Sequence, residues 1–371
     1  MDPFVFDWHA FIKPKHGWLT GAGPESDVVL TSRIRLARNL ADRPFPARLN
    51  RSAQQAVVDD VRAGCEATVF KASRCIDVSA LRKLERQFLV ERHLISPELA
   101  CMEGARAVIV HDDDPMALMI NEEDHVRLQV FEPGLSLGRA WNRADRVDSQ
   151  LGEKLPFAFD AEWGYCTRCP TNVGTGMRSS CLVHLPALRL TGDLQPVLDD
   201  LRPMGVSARG FYGEGTKATG DLFQLSNTAS LGNTEEEIIG KVKEVVQSLV
   251  RFERRAREAL ATAKNGALTE DGVHRAWGIL RNARLISYDE AMTMLSRIRL
   301  GLQMGLDLPA RLETVNELMV MTQPAHLQLF KGSPMKAAER DQSRAALIRQ
   351  ALEQPSSGPA SGGLTSDLQG S

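Results

Sequence analysis

The segment NEEDHVR at residues 121–127 gathers three carboxylates, an imidazole and a guanidinium into seven positions. Read as a strand, its alternation sends Glu123, His125 and Arg127 to one face and Glu122 and Asp124 to the other. Such groups projecting together are costly in an apolar core and useful in a polar cleft, where they can orient a charged group and accept a proton. The plain alternative is a solvated strand face. Further arginines stand in tight local settings: Arg33 and Arg35 two apart, Arg178 after a GTGM turn, and Arg209 ahead of FYGEG. Guanidinium forks match phosphate oxygens and keep their charge near neutral pH, so this set can cradle a triphosphate. Phosphoryl transfer needs its partners held in line and its charge neutralised, which an arginine cradle with Mg2+ supplies. No P-loop competes, because GEGTKATG at 213–220 lacks the GxxxxGK[ST] spacing.

Positioning these residues requires a sheet. Residues 26–36 alternate in polarity and are rich in β-branched side chains, which predicts a strand with Arg33 and Arg35 on one face. Two helical stretches follow, the second over 81–94 with Leu81, Leu84, Phe88 and Leu89 as its apolar stripe, ending near Ser96 and Pro97. Residues 105–111 and 118–130 read as neighbouring strands joined by the acidic turn DDDP. A helix over 137–155 precedes the glycine-rich stretch TRCPTNVGTGMRSS and the strand candidate CLVHL, with further strands at 205–211 and 221–225. Thr234 and Glu237 form a capping box that opens a long helix. Beyond it strand signals stop. Helices are expected near 270–283, 288–304, 309–322 and 334–353, with Ser287/Glu290 as a second capping box and Ser333 before Pro334 as a start. The change in composition places a domain boundary near 255–268, and the Pro-, Gly- and Ser-rich residues 355–371 read as a disordered tail.

Composition narrows the class. A chain of 371 residues, 43% hydrophobic and 25% charged, can bury one large core or two smaller ones as a soluble globular protein. Its net charge of −2 gives no reason to expect nucleic-acid binding. No apolar run approaches the roughly 18 residues of a membrane span, and the N-terminus lacks signal-peptide regions, so a cytoplasmic location with no membrane partner is expected. Six scattered cysteines are expected to be free thiols, and the CxxC pair Cys166/Cys169 lacks the second ligand pair of a zinc site.

TSRIRLARN, NEEDHVR, CPTNVGTGMR and RGFYGEGTKATGDLFQLSN occur in order over residues 26–255 and together resemble the phosphagen (guanidino) kinases. Within that family the chain is most similar to the bacterial protein-arginine kinases, which phosphorylate arginines in proteins. The resemblance implies an α+β fold: an antiparallel sheet flanked by helices in the catalytic domain, plus a C-terminal all-α domain. It divides the chain into an N-terminal segment (1–25), the catalytic domain (26–255), a helical substrate or regulatory domain (268–354) and the tail.

Carried over residue by residue, the resemblance implies a nucleotide site formed by Ser32, Arg33, Ile34, Arg35, His93, Arg127, Arg178, Ser179, Ser180, Cys181, Leu182, Arg209, Gly210, Phe211, Tyr212, Gly213 and Glu214. It makes ATP with Mg2+ the cofactor, with no metal held by the protein. Glu123 would hold the acceptor guanidinium, and Glu214 in YGEG would be the second carboxylate, because Lys217 stands where small-molecule kinases have theirs. A guanidinium stays protonated until about pH 12, so one carboxylate must accept its proton as the N–P bond forms. Cys169 matches the family's reactive cysteine, with an inert thiol as the alternative. Arg340 and Arg344 sit four apart, which taken alone reads as a solvated helix face. With Asp341 they also match the RDxxRA motif, which implies an allosteric phosphoarginine pocket.

Implied partners are proteins with accessible arginines destined for quality control or degradation, an activator protein, a stress-response repressor, a Clp-type protease system and a second copy in a homodimer. Two other functions fit parts of the pattern: a kinase for a small guanidino compound, and a non-catalytic phosphoarginine-binding adaptor. Small-molecule members carry a helical domain before the SRIR-like strand. Here only 32 residues precede Arg33, and the added mass follows residue 255.

Overall fold

The computed structural model describes residues 19–111, 115–210, 219–262 and 264–353. Among these the strands are β1 (Val29–Arg38), β2 (Arg74–Asp77), β3 (Ala107–Val110), β4 (Met116–Ile120), β5 (Val126–Pro133), β6 (Phe159–Asp160), β7 (Gly164–Tyr165), β8 (Met177–His184), β9 (Val206–Gly210) and β10 (Leu222–Asn227). The α-helices are α1 (Arg51–Cys65), α2 (Lys83–Glu91), α3 (Pro97–Cys101), α4 (Leu137–Gly152), α5 (Pro186–Thr191), α6 (Leu194–Asp199), α7 (Glu235–Leu260), α8 (Gly266–Asn282), α9 (Tyr288–Gln303), α10 (Leu312–Met321), α11 (Pro324–Phe330) and α12 (Ala337–Glu353). Eight strands form one antiparallel sheet in the order β2-β3-β4-β5-β1-β8-β10-β9.

The alternation of β1 decides the architecture. Ile34 and Leu36 are fully buried on one face, where they join side chains of α1, α4 and α7 in the main core. Arg33 and Arg35 therefore point to the opposite face. Register carries that face across the sheet: Arg35 lies opposite Gln129 and Arg178, Arg33 opposite Ser180, Ala37 opposite Arg127, and Gln224 opposite Arg209. Directly opposed residues share a face, so five arginines from four strands converge on one surface.

Thr234 and Glu237 make the expected reciprocal cap on α7. Helices α8 to α12 build a second core that also takes in Leu30, Leu182 and Leu222 from the sheet, while Ala325 and Leu329 of α11 join a third with α2, β3 and β4. Polar contacts reinforce this attachment. Arg299 on α9 is fully buried and donates to the carbonyls of Ser26 and Asp27, to Asn316 Oδ1 and to His184 Nδ1. Ser296 lies 2.8 Å from His184 Nε2 and donates to Asp221 Oδ2 at 2.5 Å.

Several expectations need correction. The strand expected over 118–130 is two strands, β4 and β5, joined by a turn at 121–125. Asn121 adopts φ 58° there, and its side-chain amide donates to the carbonyls of Gln54 and Ala105, which ties the turn to segments remote in the chain. The helix expected over 81–94 is shorter, ending at Glu91 before His93 takes φ 57°. In the C-terminal region α11 was not foreseen, and α12 begins at Ala337 rather than at Pro334. The acidic turn at 112–114 and the tail lie outside the described residues. No helix among the described residues is long and apolar enough to cross a membrane.

Candidate active site

The arginine-bearing face floors a cleft of about 600 Å³. Arg33, Arg35, Arg127, Arg178 and Arg209 all line it, as do His93, Glu123 and Cys169. Arg33 Nη2 donates to Gln224 Oε1 at 2.7 Å, and its guanidinium lies 5.5 Å from the Phe131 ring centre. Burial, together with the positive charges of Arg178 and Arg127, pushes the Arg33 pKa down to about 10. Arg35 is driven well below the ordinary arginine value by burial and then by Arg33, Arg178 and Arg127. Like charges thus crowd one another at Arg33 and Arg35, a repulsion that an anionic ligand would relieve.

Arg127 is different. Glu122 forms a short ion pair with it, Glu123 approaches its Nη2 to 3.4 Å, and Asp124 to 3.8 Å. Burial alone would lower its pKa, but the three carboxylates outweigh burial and raise it. This corrects the two-face reading of NEEDHVR: the turn at 121–125 wraps all three acids around Arg127 instead of splitting them by alternation. His125 leaves the cleft altogether. It is fully buried, with Nδ1 accepting from Leu40 N and its own N donating to Asn39 Oδ1.

The turn also fixes the opposite wall. Asp124 Oδ1 accepts from Asn39 Nδ2 at 2.7 Å and from Arg168 N at 2.9 Å, anchoring the segment that carries Cys169. Cys169 Sγ lies 3.1 Å from Thr171 Oγ1 at the cleft wall. The glycines of that segment serve close packing. A Cβ on Gly176 would fall 2.6 Å from Ala37 O, and one on Gly174 2.9 Å from Leu231 Cα, both at positive φ. All six cysteines are free.

Ser32, Ile34, Ser179 and Cys181, expected at the nucleotide, sit on the other face of the sheet. Ile34 and Cys181 belong to the main core, and the Ser32 hydroxyl donates to Gly134 O. The motif match carried them along because they alternate with residues that do line the cleft. Ser180 and Leu182 face the cleft side, bordering a small hollow with Thr31, His93, Phe131 and Gln224. Gly210 ends β9 beside Arg209. Phe211, Tyr212, Gly213, Glu214 and Lys217 lie outside the described residues.

Cleft residues that motif reading missed include Glu122, Gln129, Arg168 and Gln224. The signal for Gln129 was available, since it stands two after Arg127 on the same strand face. Glu122 is held by Ser96, whose hydroxyl donates to Oε1 at 2.6 Å and also caps α3 through Leu99 N. Burial would raise the Glu122 pKa, but Arg127, the Ser96 hydroxyl and the Glu123 backbone N–H bring it below the usual value.

Burial lowers the His93 pKa to about 3, with Arg33 contributing next, and the His125 pKa to about 4. Both folded values lie below the unfolded reference of about 6.5. Acidification therefore protonates the unfolded chain first, and stability present above about pH 6.5 falls toward pH 5 by up to about 1.4 kcal/mol per histidine per unit. Asp148 and Glu253, whose pKa values are raised, oppose this only nearer the carboxylate range. Thermal melts should show Tm decreasing from pH 7 to pH 5. A flat or rising Tm would contradict the buried neutral histidines.

The C-terminal motif is not a solvated face. Arg344 is 1% exposed, and its guanidinium donates to the carbonyls of Thr322 and Ile286 and to Asp341 Oδ1 at 2.6 Å. Arg340 is half-buried, with Nη1 donating to Met335 O.

Comparison with known proteins identifies the family. The family model described as ATP:guanido phosphotransferase, C-terminal catalytic domain, matches residues 56–256, and the model described as protein-arginine kinase McsB C-terminal domain matches residues 267–361. A protein-arginine kinase from Moorella thermoacetica is 48% identical over 339 residues, covering 90% of this chain and 97% of that protein. One from Halothermothrix orenii is 44% identical, covering 90% and 96%. Among solved structures, a lombricine kinase shares the fold with TM-score 0.56 at 23% identity, covering 65% of this chain and 69% of that one. The duplicated taurocyamine kinase of Schistosoma mansoni has TM-score 0.57 at 21% identity, covering 71% and 40%. With close relatives matched along nearly their whole length and two family models falling on the sheet and on the helices that follow it, the chain belongs to the protein-arginine kinase family, built on an ATP:guanido phosphotransferase catalytic domain.

Proposed function

We propose that the chain transfers the γ-phosphate of ATP to the guanidinium of arginine residues in proteins. The observation that carries this reading is that one cleft is lined both by the arginines of four neighbouring strands and by the acidic turn with Glu123. The cradle of Arg33, Arg35, Arg178 and Arg209 takes the triphosphate. Glu123 orients the acceptor guanidinium and accepts its proton as nitrogen forms the N–P bond and the P–O bond to ADP breaks. Glu214 is the proposed second carboxylate, and Cys169 with Arg168 lies close enough to the cleft to touch the acceptor. Mg2+ brought in with the nucleotide would neutralise charge during transfer.

Residues 26–255 act as the catalytic domain and 268–354 as a helical domain for substrates and regulation. Arg340 and Asp341 form the accessible part of a phosphoarginine pocket, with Arg344 as its buried floor. The purified chain, given labelled ATP, Mg2+, free arginine and an unfolded protein, should place acid-labile phosphate on the protein. Label on free arginine alone points to a small-molecule kinase, and ATP binding without label to an adaptor. Added phosphoarginine should raise the rate in the wild type but not in Arg340→Ala; equal activation in both removes the pocket. In cells of this family's kind we expect the marked proteins to be degraded by a Clp-type protease, with an activator protein and a stress-response repressor as further partners. A reconstituted protease that degrades marked and unmarked protein equally fast would end that reading.

A further inference from the structure

The C-terminal helices reach the nucleotide side of the cleft through one buried carboxylate. Glu91, the last residue of α2, is 2% exposed. Its oxygens accept from Ala325 N at 2.8 and 3.1 Å, from His326 N at 2.9 Å and from His326 Nδ1 at 2.9 Å, all in the first turn of α11. The carboxylate thereby satisfies backbone donors that a helix start leaves open and fixes the imidazole tautomer with its proton on Nδ1. The His326 ring lies 4.5 Å from that of Phe88.

Two residues past Glu91 the chain enters the cleft wall. His93 adopts φ 57°, a conformation that a non-glycine residue keeps only when its surroundings hold it on both sides. Glu91 holds one side through α11. On the other, Gln129 Nε2 donates to the carbonyls of His93 and Leu94 at 2.7 and 3.0 Å. Gln129 itself lines the cleft directly opposite Arg35 on β1. A continuous series of contacts thus runs from α11 through Glu91 to His93 and Gln129 and ends at the arginine cradle. At its far end α11 follows Thr322, whose carbonyl receives Arg344 Nε at 2.8 Å.

We infer that Glu91 and His326 are positioning residues for nucleotide binding: α11 grips Glu91, and that grip sets His93 and Gln129 against the arginines that receive the phosphates. The inference rests on reading the cleft as the ATP site. It makes the C-terminal domain a structural part of the nucleotide pocket as well as an appendage for substrates. The competing explanation is that the pair only fastens two halves of the molecule together.

The two explanations separate in the full-length protein by measuring the affinity for a fluorescent ATP analogue alongside Tm. His326→Phe keeps the ring beside Phe88 and deletes the donor to Glu91. His326→Asn keeps a donor near the Nδ1 position and loses the ring. Positioning requires that His326→Phe raise the Kd about tenfold, equivalent to ~1.4 kcal/mol, while His326→Asn stays within about twofold of wild type even though its Tm falls further. Affinities that follow Tm in both variants, or that do not change in either, would overturn it. Should His326→Phe fail to fold, Glu91→Gln serves in its place, since it keeps the size and weakens the acceptor; a Kd equal to wild type would again refute positioning. Failure of the wild type to bind the analogue would instead remove the ATP reading itself, so the two ideas fail separately.

Discussion

Glu123→Ala is expected to lower phosphoryl transfer to arginine about a thousandfold, the middle of the range for losing a general base, while the Kd for ATP stays within about twofold. The asymmetry follows from how the turn at 121–125 divides its labour. Glu122 forms the close ion pair with Arg127 and is itself fixed by Ser96, so Arg127 stays in the cradle without Glu123. Glu123 approaches Arg127 only to 3.4 Å, and its side chain is 35% exposed, which leaves its carboxylate available to an incoming guanidinium. Glu123→Gln sharpens the test, because the amide can still accept a hydrogen bond from the acceptor but cannot take its proton. Equal loss in both variants assigns Glu123 to proton transfer, whereas a much milder loss in Gln assigns it to orientation. Turnover unchanged in Ala would remove Glu123 from the mechanism.

Arg35→Met should have two effects of opposite sign. Catalytic efficiency should fall about 10²- to 10³-fold, the loss seen when one preorganised donor to a developing charge is removed. The Tm of the nucleotide-free protein should rise, by a few degrees for a gain of about 1–2 kcal/mol in a chain of this size. Arg35 sits between Arg33, Arg178 and Arg127, and its Nε is buried with no hydrogen-bond acceptor. Methionine fills similar volume without charge, so the folded state sheds a buried charge crowded by three other guanidiniums. Scanning fluorimetry with and without ATP reads both effects. Nucleotide should raise the wild-type Tm and leave that of the variant nearly unchanged. A lower apo Tm in the variant would show that Arg35 is held by favourable contacts after all.

Much of this site could be read from the sequence wherever a simple periodicity governed it. The period-two pattern of β1 sorted Arg33 and Arg35 from Ile34 and Leu36, and the cap at Thr234 marked the last long helix of the sheet region. Legibility failed where a local contact broke the period. Asn121 turns the chain because Gln54 and Ala105 supply its acceptors, and nothing near it in sequence announces them. His125 looked like a cleft residue until Leu40 N and Asn39 claimed it. α11 is too short for its apolar residues to repeat, and Glu91, which stabilises its start, lies 234 positions away. Arg344 read as a surface residue because burial of a guanidinium depends on carbonyls from Thr322 and Ile286, again remote in the chain.

The central place of β1 has a consequence for how the protein is made. Arg33 pairs with Phe131 on one side and Ser180 on the other, so the middle strand leaves the ribosome long before either neighbour exists. At usual rates of translation the wait for β8 is about 10 s, far longer than the microseconds in which a local hairpin closes. For that interval a β-branched segment with two free edges is open to wrong partners, and what interrupts its apolar run is Arg33 and Arg35. Charges so placed discourage intermolecular strand pairing. The side chains we propose to hold phosphate in the finished enzyme thus also act as gatekeepers for the nascent chain, before any sheet has formed.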